Sequence, residues 1–190
     1  MHKRIVYTRP NGGVSVCCPA QEAIAWMGCG GFWGNPARGF LETQIERQIA
    51  RGIAADAARR FAHAMAFGGC SSQEALALIR DRDCAPHGTG CELWNVAELP
   101  RGRWFRDAWV RSHNGGPISI SLRLAKPIQW QHARNAVAQA NAQRAGTFEI
   151  ECPQIETDWG ALRAAIHAAR DEHELRRVWP RELANPIMTA

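Results

Sequence analysis

The first apolar run of the chain is broken by a cluster of turn residues. Residues 5–9 and 14–18 are rich in β-branched and apolar side chains, which favour strands. Between them, Pro10-Asn11-Gly12-Gly13 supplies residues that accept the backbone angles of a tight turn. The pattern predicts a β-hairpin at the start of the chain.

A second strand-like region follows in the middle of the chain. Residues 92–96, 103–111 and 118–122 have strand-like patterns, and His113-Asn114-Gly115-Gly116 provides a turn between the last two. In a strand over 103–111, alternation would place arginine and aromatic side chains on both faces. We expect this region and the first hairpin to form one small antiparallel sheet.

The remaining apolar positions recur at helical spacing. Residues 40–82 are predicted to be helical, with Gly68-Gly69 ending one helix and a Ser71–Glu74 capping box opening the next. Pro127 is placed in the first turn of a long helix that ends near Arg144. Two short helices are predicted in the tail, before Pro180.

These elements together predict an α+β fold, in which a small antiparallel sheet of hairpins packs against several helices. A chain of 190 residues suits a single domain, 1–190, with a helical inserted lobe at about 28–83. Hydrophobic residues make up 46% of the chain, which is enough for a packed core. The longest apolar runs fall far short of a membrane span and no signal-peptide core follows the start, so we expect an intracellular protein.

The charge is carried almost entirely by arginine. Two of the 23 basic residues are lysine, so 21 are arginine, and the formal net charge is +5. Arginine suits phosphate recognition, but a GC-rich genome also favours Arg and Ala codons. The charge permits a polyanionic partner without requiring one.

The densest chemistry lies in residues 101–111, with four arginines, two tryptophans and one phenylalanine among eleven residues. Arginines interleaved with aromatic rings can hold a nucleic-acid strand by charge and stacking. The alternative is a structural strand with its arginines paired or reaching to solvent. The residues that we expect to contact a protein or nucleic-acid partner are Arg101, Arg103, Trp104, Arg106 and Arg111.

Two further patterns are weaker. Cys84, His87 and Cys91 have the chemistry of zinc ligands, but a fourth ligand, such as Cys29 or Cys70, would have to come from elsewhere. The alternative is a Pro-Gly turn with incidental thiols, and we expect no cofactor. Residues 54–82 have the outline of a helix-turn-helix, in which Gln73, Ala77 and Arg80 would enter a major groove.

No sequential catalytic signature is present. Seven histidines and seven cysteines are scattered along the chain. Scattered cysteines are typical of a cytosolic protein whose thiols stay reduced. His113, on its Gly-Gly turn, is the histidine that most merits substitution in an activity screen. The expectation is a protein that is not an enzyme, although a site assembled from dispersed His and Cys remains an alternative.

Three segments resemble small uncharacterised proteins encoded by phages and prophages of proteobacteria. They are Ile5–Val14, with the sequence IVYTRPNGGV, Trp104–Trp109, with WFRDAW, and Glu174–Pro180, with ELRRVWP. The resemblance implies a phage or mobile-element origin and carries no catalytic residue with it.

These observations favour an accessory protein that acts in the host cytoplasm by binding a macromolecule. The partner would be a host protein, a nucleoprotein defence complex or nucleic acid. With a CRISPR defence complex as its partner, the protein would be an anti-CRISPR-like inhibitor. The alternative is a structural or assembly component of the virion.

Overall fold

The computed structural model describes residues 3–37, 39–147 and 154–184. The chain divides into two compact units. Unit 1 holds the chain up to Arg101 together with Val110–Ile118, and unit 2 holds Gly102–Trp109 and the chain from Ser119 onward. Helices and small antiparallel sheets confirm the predicted α+β class. The organisation as one domain with an inserted lobe stays a prediction.

Unit 1 contains a three-stranded antiparallel sheet. It is formed by β1 (Lys3–Thr8), β2 (Val14–Cys17) and β3 (Thr89–Asn95), in the order β2-β1-β3. The N-terminal hairpin is confirmed, and Gly12 takes a positive φ of 80° in its turn. Ile5 lies opposite Cys17 on one side and Leu93 on the other, and it is fully buried.

The helices described in unit 1 are α1 (Gln21–Cys29), α2 (Phe40–Ala50), α3 (Ala55–Phe67) and α4 (Ser72–Ile79), followed by one wide turn at Arg80–Cys84. The helices α1, α3 and α4 share a core with this sheet, whereas α2 has no buried residue. Ile5 from the sheet packs in one cluster with Met27, Phe61 and Leu78 from the helices. The capping box is confirmed, because Ser71 accepts a hydrogen bond from the Glu74 amide and the Glu74 carboxylate accepts one from the Ser71 amide. These hydrogen bonds lower the pKa of Glu74.

The ends of α1 and α3 approach each other at two glycines. A Cβ on Gly30 would lie 2.5 Å from the carbonyl carbon of Phe67, and one on Gly68 would lie 2.5 Å from that of Cys29. Both glycines have a φ of 75°, which side chains rarely allow. The backbone contact of the two helix ends therefore requires glycine at both positions.

The expectation of a single sheet is wrong. β3 pairs with β1, whereas β4 (Trp109–Ser112) and β5 (Gly115–Ile120) form a separate two-stranded sheet. The turn between β4 and β5 lies at His113-Asn114, within the predicted turn. The apolar Leu93 of β3 finds its partner in Ile5, so that β3 extends the first hairpin rather than the second.

Unit 2 is mainly helical and contains α5 (Leu122–Thr147), α6 (Trp159–Ala168) and α7 (Glu172–Arg177). Its core includes Phe105, Leu162, Ile166 and Leu175. The short tail helices are confirmed, and Asp171 caps α7 by accepting a hydrogen bond of 2.8 Å from the Glu174 amide.

The predicted position of Pro127 is wrong. The helix begins earlier, because the Ser121 carbonyl already accepts hydrogen bonds from the amides of Leu124 and Ala125. Pro127 therefore lies in the second turn, where it has no N–H to donate to the carbonyl of Arg123. Within the described parts of the chain, no helix is long and apolar enough to cross a membrane.

Candidate functional site

The segment Arg101–Arg111 is divided between the two units. Its middle part, Gly102–Trp109, belongs to unit 2, whereas Arg101 and the last two residues belong to unit 1. The predicted strand over 103–111 is wrong for its first half. The Arg106 amide donates to the Arg103 carbonyl across a tight turn, a 3₁₀ turn follows at Arg106–Ala108, and the strand begins only at Trp109.

The burial of this segment explains the difference. Phe105 and Ala108 are fully buried, with exposed residues between them, so the buried positions recur three residues apart rather than two. This spacing suits a 3₁₀ turn, in which the Phe105 side chain packs in the core of unit 2. Alternation of aromatic and charged residues therefore did not identify the element.

Arg111 lies in the interior of unit 1. Its side chain is fully buried, and its guanidinium donates to Thr8 Oγ1 at 3.3 Å and to the carbonyls of Val6 and Gly90. It also forms an ion pair of 3.3 Å with the Glu92 carboxylate. Because its donors are directed into the interior of unit 1, Arg111 is not available to a partner, and its expected place on a contact surface is corrected.

The Glu92 carboxylate is held on several sides. It accepts a hydrogen bond of 2.8 Å from Trp94 Nε1 as well as the ion pair with Arg111. A Cβ on Gly115, whose φ is +94°, would lie 1.9 Å from Glu92 Oε1. Gly115, the first residue of β5, thus leaves room for this carboxylate.

Trp104 has a structural role in unit 2. Its Nε1 donates to Gln129 Oε1 at 2.7 Å, and Gln129 Nε2 donates to the Val178 carbonyl at 2.7 Å. Its ring also stacks on His132, with the centroids 4.3 Å apart, and meets the Trp179 ring edge to face. Trp104 therefore joins its own segment to α5 and to the residues after α7, and it is half-buried as a residue.

The exposed arginines of the segment are Arg101, Arg103 and Arg106. Within the described residues, none of them forms an ion pair. Arg103 and Arg106 flank the half-buried Trp104 in sequence, in the same unit. Of the five predicted contact residues, the structure thus leaves two exposed arginines and the half-buried Trp104 in unit 2, one exposed arginine in unit 1 and one buried arginine.

The residues that the sequence reasoning overlooked lie on α5. Gln129 and His132 are the partners of Trp104, and neither has a local motif that marks it. One signal was nevertheless readable: α5 contains Arg123, Lys126, Arg134 and Arg144 but no aspartate or glutamate over 26 residues. A helix of this composition adds positive charge and no negative charge to unit 2.

The cysteine and histidine candidates are not gathered into one site. Within the described residues, no group of three or more His, Cys, Asp or Glu side chains is arranged to hold a metal ion. Cys84 is fully buried and His87 is exposed. Burial raises the pKa values of the Cys84 and Cys91 thiols, which favours the protonated form over the thiolate that binds metal.

The other two candidates are the predicted helix-turn-helix and His113. The two helices of the predicted helix-turn-helix are present as α3 and α4, but Arg80 lies beyond the end of α4 and pairs with Asp81 at 2.8 Å. DNA-groove recognition by this pair stays a prediction. His113 is exposed in the turn between β4 and β5.

Comparison with known proteins adds no assignment, because no family model, curated protein or solved structure matches this chain.

Proposed function

We propose that this protein is a non-enzymatic accessory protein of a phage or mobile element. It acts in the host cytoplasm by binding nucleic acid, either as a free strand or within a nucleoprotein complex such as a defence complex. The phage origin rests on the resemblance of the opening, central and closing segments to phage and prophage proteins.

The observation that carries this proposal is the surface around Trp104, which we call the arginine surface: Arg103, Trp104, Arg106 and His132. Trp104 and His132 stack at 4.3 Å, and the two arginines are exposed. Stacked rings and exposed guanidinium groups of the same segment are suited to hold a strand, since rings stack on bases and arginines pair with phosphates.

The charge of α5 supports the same kind of partner. This helix supplies His132 to the arginine surface and carries four cationic side chains without an acidic one. Asp107 is the one carboxylate within residues 101–111. The local excess of positive charge favours a polyanion over a protein surface of mixed charge.

The test is the salt dependence of binding to a short single-stranded oligonucleotide. For single strands, log K falls with log salt by about 0.7 for each phosphate contact. Arg103→Gln/Arg106→Gln is expected to weaken binding and to lower this slope by about 1.4, the value for two contacts. Both side chains are exposed, so the variant should keep the wild-type circular dichroism spectrum.

A matched control removes the same charge elsewhere. Arg47 and Arg59 are exposed on α2 and α3 of unit 1, and Arg47→Gln/Arg59→Gln should bind with the wild-type slope. If both double variants lower the slope equally, the protein binds through its net charge and the arginine surface is not the contact. Absence of binding by the wild type at low salt would refute the nucleic-acid proposal altogether.

A further inference from the structure

A groove in unit 2 lies between α5 and α6, and no part of the proposed function uses it. It encloses about 310 Å³. Three residues of α5 and three of α6 line it: Lys126, Pro127, Trp130, Arg163, Ile166 and His167. This volume is at the lower end of the range for small-molecule sites, so the groove suits a ligand about the size of a mononucleotide.

The polar lining of the groove is entirely basic. Lys126, Arg163 and His167 carry its polar groups, and no carboxylate of the described residues lines it. Two other grooves of the protein contrast with it. The groove beside α3 and α4 includes Glu74, and the one beside Pro180 includes Asp158 and Glu182. The groove between α5 and α6 is therefore complementary to an anion.

One of the cationic groups of the groove is held in position by a hydrogen bond. Lys126 Nζ donates a hydrogen bond of 2.7 Å to the His167 carbonyl, which holds the ammonium at the last turn of α6 and leaves two N–H groups for a ligand. The ammonium also offsets the negative end of that helix. Arg163 and His167 lie one helical turn apart on α6, and Arg163 forms no ion pair within the described residues.

The remaining lining is apolar and flat. Trp130 meets the Trp159 ring edge to face, with the centroids 5.5 Å apart, which restricts the orientation of the indole. Ile166 is 2% exposed and extends from the core of unit 2 to the groove. An indole beside a proline and an isoleucine favours a planar apolar group such as a nucleobase.

We infer that this groove binds a nucleotide, with its phosphate on Lys126, Arg163 and His167 and its base against Trp130. A phosphate monoester carries a charge between −1.5 and −2 near neutral pH, roughly the values known for phosphorylated side chains. Several cationic donors match that charge better than they match a single carboxylate. The nucleotide is either free or the 5′-phosphorylated end of a strand.

The experiment is calorimetric titration of the intact protein with adenosine 5′-monophosphate, adenosine and inorganic phosphate. The monophosphate is expected to bind at least about tenfold more tightly than either fragment, because only it engages both the cations and the indole. Arg163→Gln should weaken binding by about tenfold through loss of charge-assisted hydrogen bonds. Trp130→Leu should weaken the monophosphate but not inorganic phosphate.

Arg59→Gln serves as the control, since it removes the same charge from an exposed site on α3 that belongs neither to the groove nor to the arginine surface. It should leave the affinity for the monophosphate unchanged. Equal binding of adenosine and the monophosphate, equal binding of phosphate and the monophosphate, or an unaffected Arg163→Gln variant would each overturn the inference. So would the absence of measurable heat with the monophosphate at millimolar concentration.

A second pair of probes separates the two sources of the ligand. A single-stranded oligonucleotide with a 5′-phosphate is compared with the same strand ending in a 5′-hydroxyl, each against wild type and Arg163→Gln. A preference for the phosphorylated strand that Arg163→Gln removes indicates a strand end, whereas monophosphate binding without that preference indicates a free nucleotide. Because Arg103 contributes to the arginine surface and not to the groove, the two proposals fail separately.

Discussion

Among the residues that the structure describes, each unit buries one long polar side chain that joins segments far apart in sequence. In unit 1 it is the side chain of Arg111, and in unit 2 it is that of Gln129, and both are fully buried. Arg111 joins β4 to β1 and β3, whereas Gln129 of α5 joins Trp104 to Val178. Both side chains link distant segments by hydrogen bonds, but Arg111 is charged and Gln129 is neutral.

The difference lies in the charge. The guanidinium of Arg111 loses its hydration on burial and is compensated by the Glu92 carboxylate, the Thr8 hydroxyl and two backbone carbonyls. The amide of Gln129 is neutral, and one hydrogen bond at each end accounts for its oxygen and one N–H. A buried polar link therefore needs more partners when it is charged, and its removal should disturb unit 1 more than unit 2.

The largest effect is expected for Arg111→Met. Methionine fills similar space but leaves Glu92 without its cation and the Val6 and Gly90 carbonyls without their side-chain donor. Each buried acceptor left without a donor costs about 1–3 kcal/mol, and three of them lose the guanidinium, so we expect a loss of about 3–5 kcal/mol. Urea denaturation of the variant, followed by circular dichroism, measures the change in the free energy of unfolding.

Glu92→Gln is the matched control for this prediction. The Glu92 side chain is 40% exposed and the amide oxygen still accepts a hydrogen bond from Trp94, so we expect a loss of about 1 kcal/mol. If Arg111→Met costs no more than Glu92→Gln, the guanidinium does not organise the interior of unit 1.

A smaller effect is expected for Gln129→Leu. The substitution leaves Trp104 Nε1 and the Val178 carbonyl without their partner, which costs about 1–3 kcal/mol for buried groups. The double variant Gln129→Leu/Trp104→Phe removes the stranded indole N–H and should recover part of that loss. The same urea denaturation compares the three proteins, and a loss larger than that of Arg111→Met would reverse the order of the two units.

Sequence reasoning identified the elements whose signals are local. The hairpin at Pro10–Gly13, the capping box at Ser71–Glu74 and the α+β class are all confirmed. The hairpin turn and the capping box each depend on residues within about four positions of each other, so the local sequence is enough to predict them.

Features that depend on distant partners were not predictable in this way. Arg111 is buried because Glu92, Thr8 and Val6 converge on it, and these residues lie 19 or more positions away. The backbone at Phe105 is not a strand because this side chain packs in the core of unit 2, among residues distant in sequence. Nothing in residues 101–111 alone distinguishes the buried arginine from the exposed ones.

The groove between α5 and α6 was not found from the sequence for the same reason. Its two halves, Lys126–Trp130 and Arg163–His167, are separated by more than thirty residues, and only the packing of the helices places them together. The absence of acidic residues from α5 was visible, but that signal does not show which of its cations meet those of another helix.

The smallest effect on stability completes the comparison between buried and exposed polar side chains. Arg103→Ala/Arg106→Ala alters two exposed guanidinium groups of the segment that also contains Arg111. Exposed substitutions away from caps and ion pairs usually change stability by less than about 0.5 kcal/mol each. Urea denaturation should therefore give nearly the wild-type midpoint, in contrast to Arg111→Met. A loss approaching that of Arg111→Met would mean that these arginines support the fold, and their role in the arginine surface would then have to be inferred from binding measured on folded protein alone.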